Sequence, residues 1–250
     1  MTLFLTTPTN HRIAYRSQVG EGRGVLFLHG FRSDMHSTKA TALGEFCARE
    51  RIPFTALDCF AHGKSDGDFV DFTIGRALGD VLAMLDEVVR KPVILVGSSM
   101  GGWLALLAAL QRRELVRGIV GVAPAPDFTD RMRGRMSGAQ QAELDRDGVV
   151  WVPSDDGPDY PIAQSLIDDG RKHFLMQDLI PLDIPVHICQ GMRDDSVPWE
   201  TALSIAQKLT SRDVTVTLIK DADHRQNRPE DLAMLMAAVR GIIPIDEVPS

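Results

Sequence analysis

Lys91-Pro92-Val93-Ile94-Leu95-Val96-Gly97-Ser98-Ser99-Met100-Gly101-Gly102-Trp103-Leu104-Ala105-Leu106 reads as strand, sharp turn and helix in a single run. The apolar, β-branched residues up to Val96 predict a buried parallel strand. The Ala/Leu-rich residues from Gly101 to Leu110 predict a helix. Between them Gly97-Ser98-Ser99-Met100-Gly101 has the G-x-S-x-G form of a nucleophile elbow, in which glycines leave room for a tight backbone turn and the central serine is lifted to the mouth of a sheet. Ser99 is therefore the candidate nucleophile. A bare G-x-S-x-G is common, and the flanking strand and helix give this one its weight.

Outward from the elbow, apolar runs alternate with helical patterns. Leu3 to Thr6 and His11 to Arg16 predict an antiparallel starting pair, Gly24 to Leu28 a buried strand, Ala40 to Arg49 a helix and Phe54 to Leu57 the next strand. From Ile74 to Val89, the residues Leu78, Val81, Leu82, Leu85, Val88 and Val89 fall at helical spacing. After the elbow come strands at Gly118–Val122, Pro185–Cys189 and Val214–Ile219, the last two each followed by a helical segment. Such alternation predicts an α/β fold with a mostly parallel twisted sheet and helices on both faces.

The rhythm breaks between about Asp127 and Pro181. This stretch carries Val149-Val150-Trp151-Val152-Pro153, a Pro/Asp/Gly turn region from Ser154 to Pro161, and a predicted helix from Ile162 towards Phe174. A connection of that length inside one domain is usually a lid or binding loop. We expect a single domain over 1–250 with a small inserted cap at about 127–181. Phe128, Met132, Met136, Leu144, Trp151, Phe174 and Met176 are its candidates for an acyl-pocket lining, although for any one of them packing is the plainer reading. Arg131, Arg133 and Arg135 are candidates to attract an anionic substrate, against a solvated charged face.

A serine hydroxyl needs a histidine to accept its proton, and that histidine needs a carboxylate to hold its tautomer and orientation. The order serine, acid, histidine suits a nucleophile on such an elbow. Asp194 follows the strand at 185–189 within Gly191-Met192-Arg193-Asp194-Asp195-Ser196-Val197-Pro198, and His224 follows the last strand within Asp221-Ala222-Asp223-His224. Asp127 and Asp195 remain alternatives for the acid. Asp195 is expected to turn towards the backbone at the helix start near Pro198, and Asp223 to be a turn residue. The end of the strand at Leu28-His29-Gly30-Phe31 can aim the backbone N–H of Phe31 at a developing oxyanion, with the N–H of Met100 as second donor. His62 reads as shaping its loop.

With these residues in hand, the chain resembles an α/β-hydrolase serine esterase. More narrowly, it is similar to the family of the mammalian mitochondrial acyl-glucuronide esterase, also described as a palmitoyl-protein thioesterase, and its bacterial relatives. The resemblance rests on Ser37-Thr38-Lys39-Ala40 with Glu45-Phe46-Cys47, on Val96 to Leu104, on Gly148-Val149-Val150-Trp151, on Gly191 to Trp199, and on Asp223-His224-Arg225. It implies Ser99 as nucleophile, Asp194 as acid, His224 as base, and an ester or thioester of a small-molecule acyl group as substrate. The chain lacks the organelle-targeting extension of the mammalian member, so the expected location is cytoplasmic.

Composition bounds the alternatives. A formal charge of −7 argues against broad nucleic-acid binding. No apolar run reaches the roughly 18 residues of a membrane span, and no zinc-ligand spacing appears. Cys47, Cys59 and Cys189 are far apart and odd in number, which suggests reduced thiols. Neither cofactor nor metal is expected, and the oligomeric state is left open. A peptidase or C–C bond hydrolase on the same fold, or a hydrolase-like small-molecule receptor with negligible turnover, stand as the alternatives.

Overall fold

The computed structural model describes residues 1–154 and 157–243. Two of its strands show how the sequence builds the sheet. In β3 (Gly24–Leu28) Leu26 and Leu28 face one core while Val25 and Phe27 face another. In β5 (Val93–Ser98) Val93 and Leu95 join the first core, and Ile94 and Val96 the second. A two-residue period with apolar side chains on both faces is what a strand needs when helices cover it on both sides.

The eight-stranded sheet runs in the order β1 (Leu3–Thr6), β2 (Arg12–Gln18), β4 (Phe54–Leu57), β3, β5, β6 (Val116–Val122), β9 (Val186–Gly191), β10 (Val214–Ile219). β2 pairs antiparallel with both β1 and β4, and every later pairing is parallel. One face is covered by α1 (Thr38–Arg49) and α8 (Pro229–Ile242), whose Leu43, Phe46, Leu235 and Val239 pack on Val25, Phe27 and Val96. The other carries α2 (Ile74–Ala83), α3 (Met100–Gln111) and α7 (Glu200–Lys208). The expected α/β-hydrolase architecture is thus the observed one.

The helix expected over Ile74–Val89 changes character within its span: α2 gives way to a π-helical stretch at Met84–Val89, which ends at Arg90 with φ 54°. α3 is buried from Met100 to Ala109, which is why its sequence is apolar all round instead of striped. Among the described residues no helix is long and apolar enough to cross a membrane.

Residues 127–181 supply α4 (Phe128–Arg135), α5 (Gly138–Asp147), the hairpin of β7 (Val149–Val152) and β8 (Tyr160–Ala163), and α6 (Gln164–Arg171). The helix expected from Ile162 begins two residues later, at Gln164. Tyr160 to Ala163 are extended instead, pairing antiparallel with β7 so that Trp151 meets Pro161. Pro161 favours an extended residue before it, and the Val/Trp-rich β7 would otherwise leave its ladder groups unpaired. Residues 155 and 156 of the turn expected over Ser154–Pro161 lie outside the described residues. Met136, Leu144, Val150, Ile162 and Ile167 form a small core of their own, distinct from the two that sandwich the sheet. A capping box between Ser137 and Gln140 starts α5, and Gly148 at φ 73° ends it.

This separation predicts a local response to mutation. Leu144→Ala should cost about 2–5 kcal/mol within the small core. Amide hydrogen exchange should rise across residues 128–171 while β3, β5 and β6 keep their protection; uniform loss of protection would show that the small core is not a separate unit.

Candidate active site

The carboxyl ends of β3, β5, β9 and β10 converge on one cleft of about 920 Å³, within the usual range for small-molecule sites. Ser99 stands at the end of β5 with φ 53° and ψ −116°, a conformation that costs a non-glycine residue about 1–3 kcal/mol. Its neighbours explain how the turn closes. A Cβ on Gly97 would lie 2.2 Å from the Gly101 carbonyl oxygen, and one on Gly101 would lie 2.1 Å from that of Leu28. A Cβ on Gly102 would strike Pro124 at 2.6 Å. The Ser99 N–H donates to Val122 O (2.9 Å), and its carbonyl accepts from Gly102 (2.9 Å) and Ala125 (3.1 Å). The backbone of the serine is thus fixed from three sides while its side chain lines the cleft.

His224 lines the same cleft and its Nδ1 lies 2.8 Å from Asp194 Oδ2. The Asp194 side chain is fully buried. Its Oδ1 accepts the N–H groups of Ser196 (2.8 Å) and Val197 (2.7 Å), and Oδ2 also accepts from Gln190 Nε2 (3.0 Å). Burial works to raise the Asp194 pKa. The His224 ring and the two backbone donors outweigh it together and hold the carboxyl below its ordinary value. An ionised carboxylate only accepts, so Nδ1 of His224 carries the proton in that bond. The loops bearing the two residues are stitched by Arg193 N–H to Ala222 O (2.9 Å) and Met192 N–H to Ile219 O (2.9 Å). Gly191 allows this approach, since a Cβ there would meet Ala222 O at 2.4 Å.

The other acid candidates are placed elsewhere. Asp127 accepts the N–H groups of Leu175 and Met176, both at 2.9 Å, and closes the base of the 127–181 segment. Asp195 is exposed, and the N–H groups near Pro198 expected for it belong to Asp194. Asp223 accepts the Gln226 N–H (3.0 Å) in a turn.

The Phe31 N–H is oriented by a neighbour. His29, fully buried, accepts the Cys59 N–H at Nε2 (3.0 Å), so its proton sits on Nδ1 and is donated to Gly30 O (2.7 Å). In a trans peptide the Gly30 carbonyl and the Phe31 N–H point oppositely, so fixing one aims the other. His62 repeats the arrangement: Nε2 accepts the Arg32 N–H (3.1 Å) and Nδ1 donates to Phe60 O (2.9 Å). Burial, reinforced by the nearby His29 ring, pushes His62 down to about 3, and burial lowers His29 as well. The Met100 N–H lies in the first turn of α3, where backbone donors lack helical acceptors.

Of the apolar candidates between 127 and 181, Phe128, Met132 and Met136 line the cleft, joined by Val152 and Ile162. Leu144 packs in the small core and Trp151 is 57% exposed. Phe174 packs against Trp103, whose indole donates to His173 O (3.1 Å). Arg131 and Arg135 line the cleft, whereas Arg133 pairs with Asp145 at 2.6 Å. Sequence reading missed the amide of Gln190, the side chain of Lys39 and that of Arg32. Arg32 lies over the Tyr160 ring at 3.9 Å and donates to Ser154 Oγ (2.7 Å), joining the Phe31 loop to the β7–β8 hairpin. Cys47, Cys59 and Cys189 are buried free thiols, with burial pushing Cys47 and Cys189 up to about 12.

A mostly parallel sheet with a serine elbow and a carboxylate-bonded histidine lining one cleft fits the α/β-hydrolase class. Residues 25–235 match the alpha/beta hydrolase family model, and the chain belongs to that family. Among curated proteins it is similar to the bovine palmitoyl-protein thioesterase ABHD10, mitochondrial, with 36% identity over 96% of this chain and 79% of the relative. Among solved structures, mouse alpha/beta hydrolase domain-containing protein 10 superposes with a TM-score of 0.90 at 35% identity, covering 97% of this chain and 98% of the other. A putative hydrolase from Agrobacterium vitis S4 superposes with a TM-score of 0.93 at 35% identity, covering 98% and 99%.

The elbow's crowding has a measurable consequence. Gly101→Ala should destabilise the fold by about 1–3 kcal/mol, because the new methyl must displace the β3 backbone at Leu28. An unchanged midpoint in urea denaturation would refute that account.

Proposed function

We propose that the chain hydrolyses carboxylic esters or thioesters by a Ser99–His224–Asp194 triad through an acyl-enzyme. The observation that carries this reading is the joint placement of a strained Ser99 and His224 in one cleft, with His224 bonded to a buried carboxylate. His224 Nε2 takes the Ser99 proton as Oγ attacks the acyl carbonyl, and Asp194 stabilises the imidazolium that forms. The negative charge passes to the carbonyl oxygen, which the N–H groups of Phe31 and Met100 receive. Collapse of the tetrahedral intermediate breaks the bond to the alcohol or thiol, which leaves with the proton from His224. Water, deprotonated by the same nitrogen, then attacks the acyl-serine, and the acid and free serine are released.

Substrate class follows from the cleft walls and the relatives together. Phe128, Met132, Met136, Val152 and Ile162 offer an apolar wall for an acyl chain. The ABHD10 proteins are named as palmitoyl-protein thioesterases, which supports acyl transfer to water here and leaves the acyl length to the dimensions of this cleft. We read 127–181 as a cap that carries most of that wall. The proposed compartment is the cytoplasm, where three free buried thiols stay reduced; the mammalian relatives are named as mitochondrial.

Steady-state turnover of p-nitrophenyl esters from acetate to palmitate, with palmitoyl-CoA alongside, tests the reading. Ser99→Ala should lower kcat by at least on the order of 10⁴ and Asp194→Asn by a comparable factor. Wild-type turnover retained by pure Ser99→Ala would sink the mechanism.

A further inference from the structure

The amide of Gln190 lies against the carboxylate of Asp194. Val186, Ile188 and Cys189 before it in β9 are buried apolar residues, and Gln190 itself is fully buried. Its Nε2 meets three oxygens: Asp194 Oδ2 at 3.0 Å, Gly191 O at 3.2 Å and Val197 O at 3.4 Å. All three are acceptors, so the surroundings fix which end of the amide is nitrogen. A reversed amide would press its oxygen against a carboxylate and two carbonyls. Oε1 is buried and has no hydrogen-bond partner among the described residues. A buried side-chain amide ordinarily satisfies both ends. This one works through its donor alone, and the shortest contact of that donor is Asp194.

The two oxygens of Asp194 are held differently. Oδ1 takes the N–H groups of Ser196 and Val197, which the backbone supplies whatever the side chains are. Oδ2 takes the Nδ1–H of His224 at 2.8 Å, and Gln190 Nε2 is the other donor on it among the described residues. A hydrogen bond to a carboxylate oxygen draws negative charge towards its donor. With Gln190 in place, Oδ2 therefore offers less of that charge to His224 than it would if it served the ring alone. The same bond holds Oδ2 while the backbone holds Oδ1, so the carboxylate is fixed against turning about its Cβ–Cγ bond.

We propose that Gln190 is a positioning residue that shares Asp194 Oδ2 with His224 and so limits how strongly the acid draws on the ring. The proposal rests on the hydrolase reading above, in which His224 takes the Ser99 proton as a free base and later gives it up to the leaving group. A ring drawn on more strongly would hold a proton over more of the pH range and be lost as a base there. Other charged groups also face the pair. They are Arg131 and Arg135 from α4, Lys39 from α1 through its bond to Arg225 O, and Asp195, Asp223 and Arg225 from the loops of the pair itself. A substitution at Gln190 leaves all of them in place, so its effect is read against a constant background.

The test follows kcat/KM for p-nitrophenyl hexanoate across the acidic limb and the plateau of the pH profile. It compares wild type with Gln190→Met, which keeps the length of the side chain and removes the donor. The acidic limb should move up by about half to one pH unit, so that the loss is about three- to tenfold greater on the limb than on the plateau. A merely structural amide would lower kcat/KM by one factor at every pH. If Gln190→Met does not fold, Gln190→Asn, one methylene too short for the 3.0 Å contact, reads the same limb. A limb that stays or moves down in a folded variant overturns the proposal. A second readout is independent of turnover. The low-field proton resonance of His224 Nδ1–H, assigned by its absence from His224→Gln, should move further downfield in the variant, because Oδ2 becomes the stronger acceptor. If wild type hydrolyses no ester, the hydrolase reading fails separately and this resonance alone decides. An unmoved signal then overturns the sharing of Oδ2.

Discussion

The site depends on a backbone that is held where a serine would not rest by itself. Ser99 occupies φ 53°, and nothing in its own side chain favours that. What holds it is the meeting of β5, α3 and β3 at distances only glycine permits: Gly97 against Gly101, Gly101 against Leu28, Gly102 against Pro124. The buried α3 is pressed onto the sheet along its length, so the strain is sustained by the packing of two large cores. Loosening any of these contacts would let the turn relax and withdraw the serine from the cleft.

Around that fixed point the polar groups are arranged with few degrees of freedom. Asp194 is surrounded by donors from Gln190, Ser196, Val197 and His224, so its charge is satisfied before any substrate enters. His29 and His62 are held neutral by burial, and each braces the backbone between Gly30 and Arg32 with one ring nitrogen while the other ties it to Cys59 or Phe60. The result is a preorganised polar environment, in which little reorientation is left for the moment when charge develops.

Much of this was legible in the sequence, for identifiable reasons. The β3 and β5 runs are apolar at successive positions, and α3 is a solid Ala/Leu segment; both patterns admit few other readings. Asp194 and His224 sit directly after strands, where a parallel sheet presents its functional loops. The stretch from 127 to 181 was harder, because its pieces gain their structure from one another. Pro161-Ile162-Ala163 has no strand pattern until Val149–Val152 lies beside it, and the exposure of Trp151 runs against its apolar character. Gln190, Arg32 and Lys39 were invisible for a related reason. Lys39 and Arg32 act through partners distant in sequence (Lys39 through Asn227, Arg32 through Tyr160), and a single polar residue such as Gln190 leaves no periodic trace.

The contact of Arg32 with Tyr160 and Ser154 joins two parts that are often treated as separable. Arg32 follows Phe31 directly and its own N–H is pinned by His62, so the β7–β8 hairpin is tethered one residue from the Phe31 amide at the end of β3. Exchanging the 127–181 segment for that of a relative would therefore not transplant substrate scope alone. Such a chimaera would inherit a new mechanical load on the backbone between Gly30 and Arg32, where the carboxyl end of β3 enters the cleft.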